Sequence, residues 1–178
     1  MIQKKYTTEE RRQTILDILK NRREPITGSE LSAICSVSRQ IIVGDITILK
    51  ARNEPIIATP SGYIYINQIN PDMDRKTMVI ASMHTAKQAE EELLLLVDCG
   101  VTVKDVKIEH PLYGDLTASI MVSNRDEVRQ FISNLKNTNA SLLSQLTNGI
   151  HLHTIEAASE QELQKAVQAL KGAGFLKE

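Results

Sequence analysis

The chain has 178 residues, with 21 Lys/Arg against 22 Asp/Glu for a formal net charge of −1, 42% hydrophobic residues and 24% charged residues. These fractions are ordinary for folded protein and argue against a disordered or low-complexity chain. No apolar run approaches the roughly 18 residues needed to span a membrane, and the start, MIQKKYTTEERR, has no apolar signal region, which predicts a cytoplasmic protein with no membrane partner.

The near-neutral total hides a division. Residues 1–54 hold ten Lys/Arg against seven Asp/Glu, and residues 55–178 hold eleven against fifteen. A basic head on an acidic body suits a protein that meets phosphates at one end only. With four Tyr, two Phe and no Trp, the core must be mostly aliphatic. Cys35 and Cys99 match no metal or redox spacing and sit beside apolar residues, so they read as buried free thiols.

Three helices are predicted in the head. The first starts at Thr7 or Thr8, where Thr7 and Glu10 have capping-box spacing, and carries Ile15, Ile18 and Leu19 on one stripe. The second is GSELSAIC, with Thr27 and Glu30 in the same relation. The third follows Ser38 as N-cap and buries Ile42, Ile46 and Leu49. The tight link Cys35-Ser36-Val37 makes the last two a helix-turn-helix, whose second helix enters the major groove by its N-terminal end. Ser38, Arg39 and Gln40 stand there. Arg can bond guanine O6 and N7 together, and Gln can do so for adenine N6 and N7.

Next, EPIIATPSGYIYIN places Ile56-Ile57-Ala58 and Tyr63-Ile64-Tyr65-Ile66 around Pro60-Ser61-Gly62, a β-hairpin pattern. Three helices and a hairpin predict a winged helix-turn-helix that binds DNA, over residues 1–67. Gly44 runs against the pattern, because Gly inside a helix costs about 1 kcal/mol relative to Ala. Close packing, close approach to a phosphate and a tolerated defect all remain open for it. Residues 68–76, QINPDMDRK, are polar and read as a linker.

The body, residues 77–178, alternates strand and helix: MVIASMH, then AKQAEEELLLLVDCG, VTVKDVKIEH, a turn at HPLYGD, LTASIMV, RDEVRQFISNLK, GIHLHTIEA and SEQELQKAVQALKGAGF. The order βαββαβ with a closing helix predicts an α+β, ferredoxin-like domain. His151 and His153 lie two apart on a strand and share a face. His84 ends the first strand, and Glu92 follows in the next helix. Three imidazoles and a carboxylate suit a divalent transition metal such as Zn, Ni, Fe or Mn. The competing reading is a chance His-x-His pair with Glu92 on a solvated face. His110 and Tyr113 either build the turn between strands two and three or face an effector. No general base or nucleophile stands out beyond the four donors, since Asp115 and Glu109 are near only in sequence, and no enzyme is predicted.

These stretches resemble a known family. The head, ITGSELSAICSVSRQIIVGDITILKARNEPIIATPSGYIYI, is similar to the winged helices of bacterial repressors. The body, with IEHPLYGDL and NGIHLHTIEA, resembles the three-histidine (3H) domain. Together they resemble the NiaR family of repressors over essentially the whole chain. The resemblance implies a homodimer that binds operator DNA when nicotinic acid is present, shutting down NAD biosynthesis and niacin uptake genes. It also implies a transition metal on His84, Glu92, His151 and His153. Many members of the family carry a basic residue where this chain has Gly44, and often another at Ser61, so two phosphate contacts are in question. Two alternatives remain: a repressor that answers to the metal itself, and a metal-dependent enzyme domain fused to a DNA-binding head.

Overall fold

The computed structural model describes residues 6–22, 24–66 and 75–177, which fall into two compact units divided between Asn70 and Pro71. In the first, α1 (Thr8–Asn21) and α2 (Gly28–Cys35) each open on a full capping box, Thr7 with Glu10 and Thr27 with Glu30. The turn after α2 bends through Ser36 in the left-handed region (φ 54°), and Ser38 caps α3 (Arg39–Ala51). Ile15, Leu19, Leu31, Ile42, Ile46 and Leu49 meet in an aliphatic core with the free thiol of Cys35. The stripes that predicted the helices are therefore also what joins them.

The hairpin is β1 (Ile56–Thr59) and β2 (Gly62–Tyr65), antiparallel, with Ile56 opposite Tyr65 and Thr59 opposite Gly62. A third piece of backbone joins it: Ile26 donates to Tyr63 O at 2.9 Å and accepts from Tyr63 N at 2.8 Å. Gly62 permits this approach, because it has φ +131° and a β-carbon there would collide with the Ile26 carbonyl. One buried group has no counterpart in the predicted stripes. Asp45, on α3, is 3% exposed, and its two carboxylate oxygens take Arg11 Nε at 2.6 Å and Arg12 Nε at 2.9 Å from α1.

Most of the expected linker lies outside the described residues. Arg75 and Lys76 already belong to the second unit: Arg75 pairs with Glu156, and Lys76 opens β3. That unit runs β3 (Lys76–Met83), a 3-10 turn (Ala86–Gln88), α4 (Ala89–Asp98), β4 (Thr102–His110), β5 (Gly114–Val122), α5 (Arg125–Thr138), β6 (Ile150–Ala157) and α6 (Glu160–Ala173). A second 3-10 turn, Leu143–Thr147, stands between α5 and β6, where the sequence pattern predicts no element.

The order βαββαβ and the antiparallel pairing agree with an α+β domain, but the strand order corrects the ferredoxin-like expectation. The sheet runs β3-β6-β4-β5. Its inner strands are thus the domain's fourth and second, whereas a ferredoxin-like sheet places its first and third inside. Alternating hydrophobicity fixes which face of a strand is buried and leaves its neighbours unspecified. Here β6 pairs with β3 on one edge and β4 on the other, so every inward residue of β6 lies in the middle of the domain. The outer edge of β3 is partly covered by the chain after α6: Met83 N donates to Phe175 O and Lys177 N to Ala81 O, both at 2.8 Å.

Candidate metal centre and DNA-binding face

Strand alternation sends His151 and His153 inward from β6, and both are buried. Register sets Ser82, two residues before His84, opposite His151, which brings the end of β3 beside them. Glu92 is on the buried face of α4, 1% exposed, while Glu91 of the same run points to solvent. The four residues meet. The Glu92 Oε2 atom lies 2.6 Å from His84 Nε2, 3.3 Å from His151 Nε2 and 3.2 Å from His153 Nε2. His84, Glu92 and His151 each offer a donor atom within 4.8 Å of the others.

The far side of each ring fixes its chemistry. His84 Nδ1 donates to Thr85 O at 2.9 Å, His151 Nδ1 to Gly149 O at 2.9 Å and His153 Nδ1 to Asp105 O at 2.7 Å. A carbonyl only accepts, so each Nδ1 carries its hydrogen. In a neutral ring, Nε2 then presents a lone pair. Three lone pairs facing a carboxylate oxygen repel one another and the carboxylate unless protons or a cation stand between them. Glu92 Oε1 is also buried and has no hydrogen-bond partner among the described residues. A divalent transition metal fits this donor set: imidazole and carboxylate ligands, with backbone carbonyls holding each tautomer.

The titration behaviour follows the same contacts. Burial alone would raise the Glu92 pKa, but hydrogen bonds from His151, His153 and His84 outweigh it and hold the carboxyl well below the usual range. Burial pulls the His84 pKa down, yet the Glu92 hydrogen bond and charge leave it raised. The loop entering β6 is fitted to the site as well. Gly149 has φ +92°, and a β-carbon on it would collide with the His84 carbonyl oxygen.

His110 and Tyr113 are placed elsewhere. Their rings stack at 5.0 Å, and His110 Nδ1 accepts from the backbone N–H of Leu112 at 3.2 Å and of Tyr113 at 3.3 Å. These bonds build the turn, and Tyr113 is 70% exposed. Neither residue lines the cavity at the histidines.

In the head, Ser38 Oγ accepts from Ile41 N at 3.4 Å, so its hydroxyl caps α3. Arg39 and Gln40 are exposed at the start of that helix. The Arg39 side chain leans over Gly28 at the start of α2, beside Tyr63 of the hairpin. Val43, Gly44 and Thr47 continue the exposed face one and two turns on, positions that the 3.6-residue period marks and the N-terminal turn alone does not. A β-carbon on Gly44 would meet nothing within 4 Å among the described residues, so close packing against them is not the reason for a glycine. Gly44→Lys is therefore expected to fit without strain. It should tighten DNA binding and steepen the slope of log K against log salt by about one unit. Equal slopes for parent and variant in a salt titration would place position 44 away from the phosphates.

A winged helix-turn-helix followed by a unit with a buried His/Glu donor set defines a DNA-binding regulator with a separate second domain. Residues 11–64 match an HTH domain family and residues 77–178 match the 3H domain family. The chain is 52% identical over 166 residues to the transcription repressor NadR of Bacillus subtilis (strain 168), covering 93% of this chain and 92% of the relative. It is 37% identical over 172 residues to the probable transcription repressor NiaR of Thermotoga maritima, covering 97% and 96%. The chain belongs to this NadR/NiaR family of transcription repressors, whose members named here are repressors and not enzymes. Among the described residues, no single helix is long and apolar enough to cross a membrane.

Proposed function

We propose that this repressor closes NAD biosynthesis and niacin uptake genes, with nicotinic acid as co-repressor and a divalent transition metal, one of Zn, Ni, Fe or Mn, on His84, Glu92, His151 and His153. Residues 1–67 read operator DNA through Ser38, Arg39 and Gln40, residues 77–178 sense the effector, and 68–76 join them. The observation that carries the metal is the convergence of three Nε2 atoms on one oxygen of a buried carboxylate, with every Nδ1 already donated to a carbonyl. When bound, the metal supplies positive charge and a coordination position open to a carboxylate or a pyridine nitrogen. The effector rests on the resemblance to the niacin-responsive family. A homodimer follows from the two-fold symmetry usual in operators.

For nicotinic acid to repress, it must favour the DNA-competent state, since equal binding to both states shifts nothing. A tenfold gain in operator affinity corresponds to about 1.4 kcal/mol of coupling. A mobility-shift titration on the protein's own promoter, with nicotinic acid and a chelator each added or withheld, tests this directly. Tight binding only with both nicotinic acid and metal is expected. Binding that follows metal alone would make the protein a metal-responsive repressor.

The raised His84 pKa gives a second test. In metal-free protein its contribution to stability is full below its unfolded pKa of about 6.5 and is lost as pH rises through the higher folded value. Metal ligation needs unprotonated imidazoles, so metal stabilisation grows over the same range. As pH rises above about 6.5 the melting temperatures with and without metal should diverge. Parallel curves would remove these histidines from the metal's ligands.

A further inference from the structure

The outward face of α3 changes character after its first turn. Arg39 and Gln40 are polar, but Val43, one turn on, is 45% exposed, and Thr47 is exposed one turn beyond it. At about 100° per residue, Gln40, Val43 and Thr47 fall within about 60° of one another and form one row along the helix. Ile41 and Ile48 are exposed too, but they stand about 80–100° round from Gln40 and outside that row. The row faces away from Ile42, Ile46 and Leu49, which hold α3 in the core of the first unit.

Thr47 brings carbon to this row. Its Oγ1 donates to Val43 O at 2.8 Å, which commits the hydroxyl hydrogen to the backbone of its own helix. The other arm of the side chain is a methyl group. Two side chains four residues apart therefore offer methyl groups as neighbours on the helix surface.

In the major groove the counterpart of such a surface is the C5-methyl of thymine, the methyl group that a base pair presents there. Cytosine carries only a hydrogen at that carbon. The donors and acceptors of the other bases would give up water against a methyl and gain no hydrogen bond. We infer that Val43 and Thr47 read thymine, each packing on a C5-methyl, and so add A·T base pairs to those that Arg39 and Gln40 select. The inference rests on the DNA reading above, with α3 in the major groove. A rise of about 1.5 Å per residue sets Val43 about 4.5 Å and Thr47 about 10 Å beyond Gln40 along the helix. Base pairs stack about 3.4 Å apart, so both thymines fall within about three base pairs of the base that Gln40 meets.

Exchange of thymine for deoxyuridine tests this, because it removes the C5-methyl and keeps every hydrogen-bonding group. Operator duplexes from the protein's own promoter, each with one thymine replaced by deoxyuridine, are titrated with full-length protein, with and without nicotinic acid and zinc. The condition in which the parent binds more tightly is used throughout. A buried methyl is worth about fourfold in affinity, so one or two thymines in each half-site should each cost the parent about that much. Val43→Ala should weaken the unmodified operator and lose the deoxyuridine penalty at one of these positions. Thr47→Ser keeps the hydroxyl and loses the methyl, and should do the same at the other. Circular dichroism checks that both variants fold, and the scan with the parent stands without them. A scan with no penalty in the parent would overturn the assignment, as would penalties that persist unchanged in both variants. Parent protein that binds the operator no better than an unrelated duplex is a different result, which overturns the DNA reading itself.

Discussion

Glu92→Ala is expected to abolish metal uptake by the second unit and to destabilise that unit by about 3–5 kcal/mol, the cost of removing one partner from a buried ionic cluster. The carboxylate is 1% exposed and is the common neighbour of three Nε2 atoms. Without it, three rings fixed by their Nδ1 bonds face one another across a space with no counter-charge, and any proton they take up is uncompensated. Glu92→Gln separates the two roles. It keeps the shape and an acceptor oxygen, so it should fold more stably than the Ala variant while still losing metal affinity by about 100-fold or more. Thermal melts with and without chelator, and competition against a chelating dye, measure both effects. A Gln variant that holds metal within threefold of the parent would remove Glu92 from the site.

The second large effect is in the head. Asp45→Ala leaves Arg11 and Arg12, whose side chains are 12% and 19% exposed, without the carboxylate they share. Arg11 keeps its charge when the partner is gone, because a guanidinium stays protonated at any ordinary pH. Loss of such a pair costs about 3 kcal/mol, toward the low end for buried ions because both guanidiniums can turn to water. A unit of about 60 residues with one small core has little stability to spare. Hydrogen exchange should show protection falling throughout α1 and α3, with operator binding weakened, while metal content of the second unit is unchanged. Asp45→Asn should fall between parent and Ala. Parent-like protection in the Ala variant would make the two ion pairs incidental.

Within the head, local sequence carried most of the structure. Thr7 with Glu10, Thr27 with Glu30 and Ser38 mark helix starts through bonds that reach only three residues, and Ile42, Ile46 and Leu49 repeat at helical period. Signals of that range can be read in a linear chain. Asp45 could not be read in this way. It lies between apolar stripe positions on α3, and its partners are more than thirty residues earlier. An acidic residue at such a spacing usually faces solvent, and only the packing of α1 against α3 gives it two arginines. The strand order of the second unit was hidden for a related reason: β6 reaches the middle of the sheet through pairings with β3 and β4, and neither leaves a mark on its alternation.

By itself the sequence determined the winged helix-turn-helix, the βαββαβ order of the second unit and the four residues whose chemistry suits a metal. Each rests on a periodicity, a short-range cap or the donor types of side chains. The tertiary structure decided what those four do together. It brought His84, His151 and His153 around Glu92 from two strands and a helix, protonated each Nδ1 by giving it a carbonyl, and set the turn of Leu142 and Leu143 beside them. It also engaged the ring of His110 in its own turn. Convergence of this kind depends on contacts such as that of Glu92 with His153, 61 positions apart, and a local pattern holds no information at that distance.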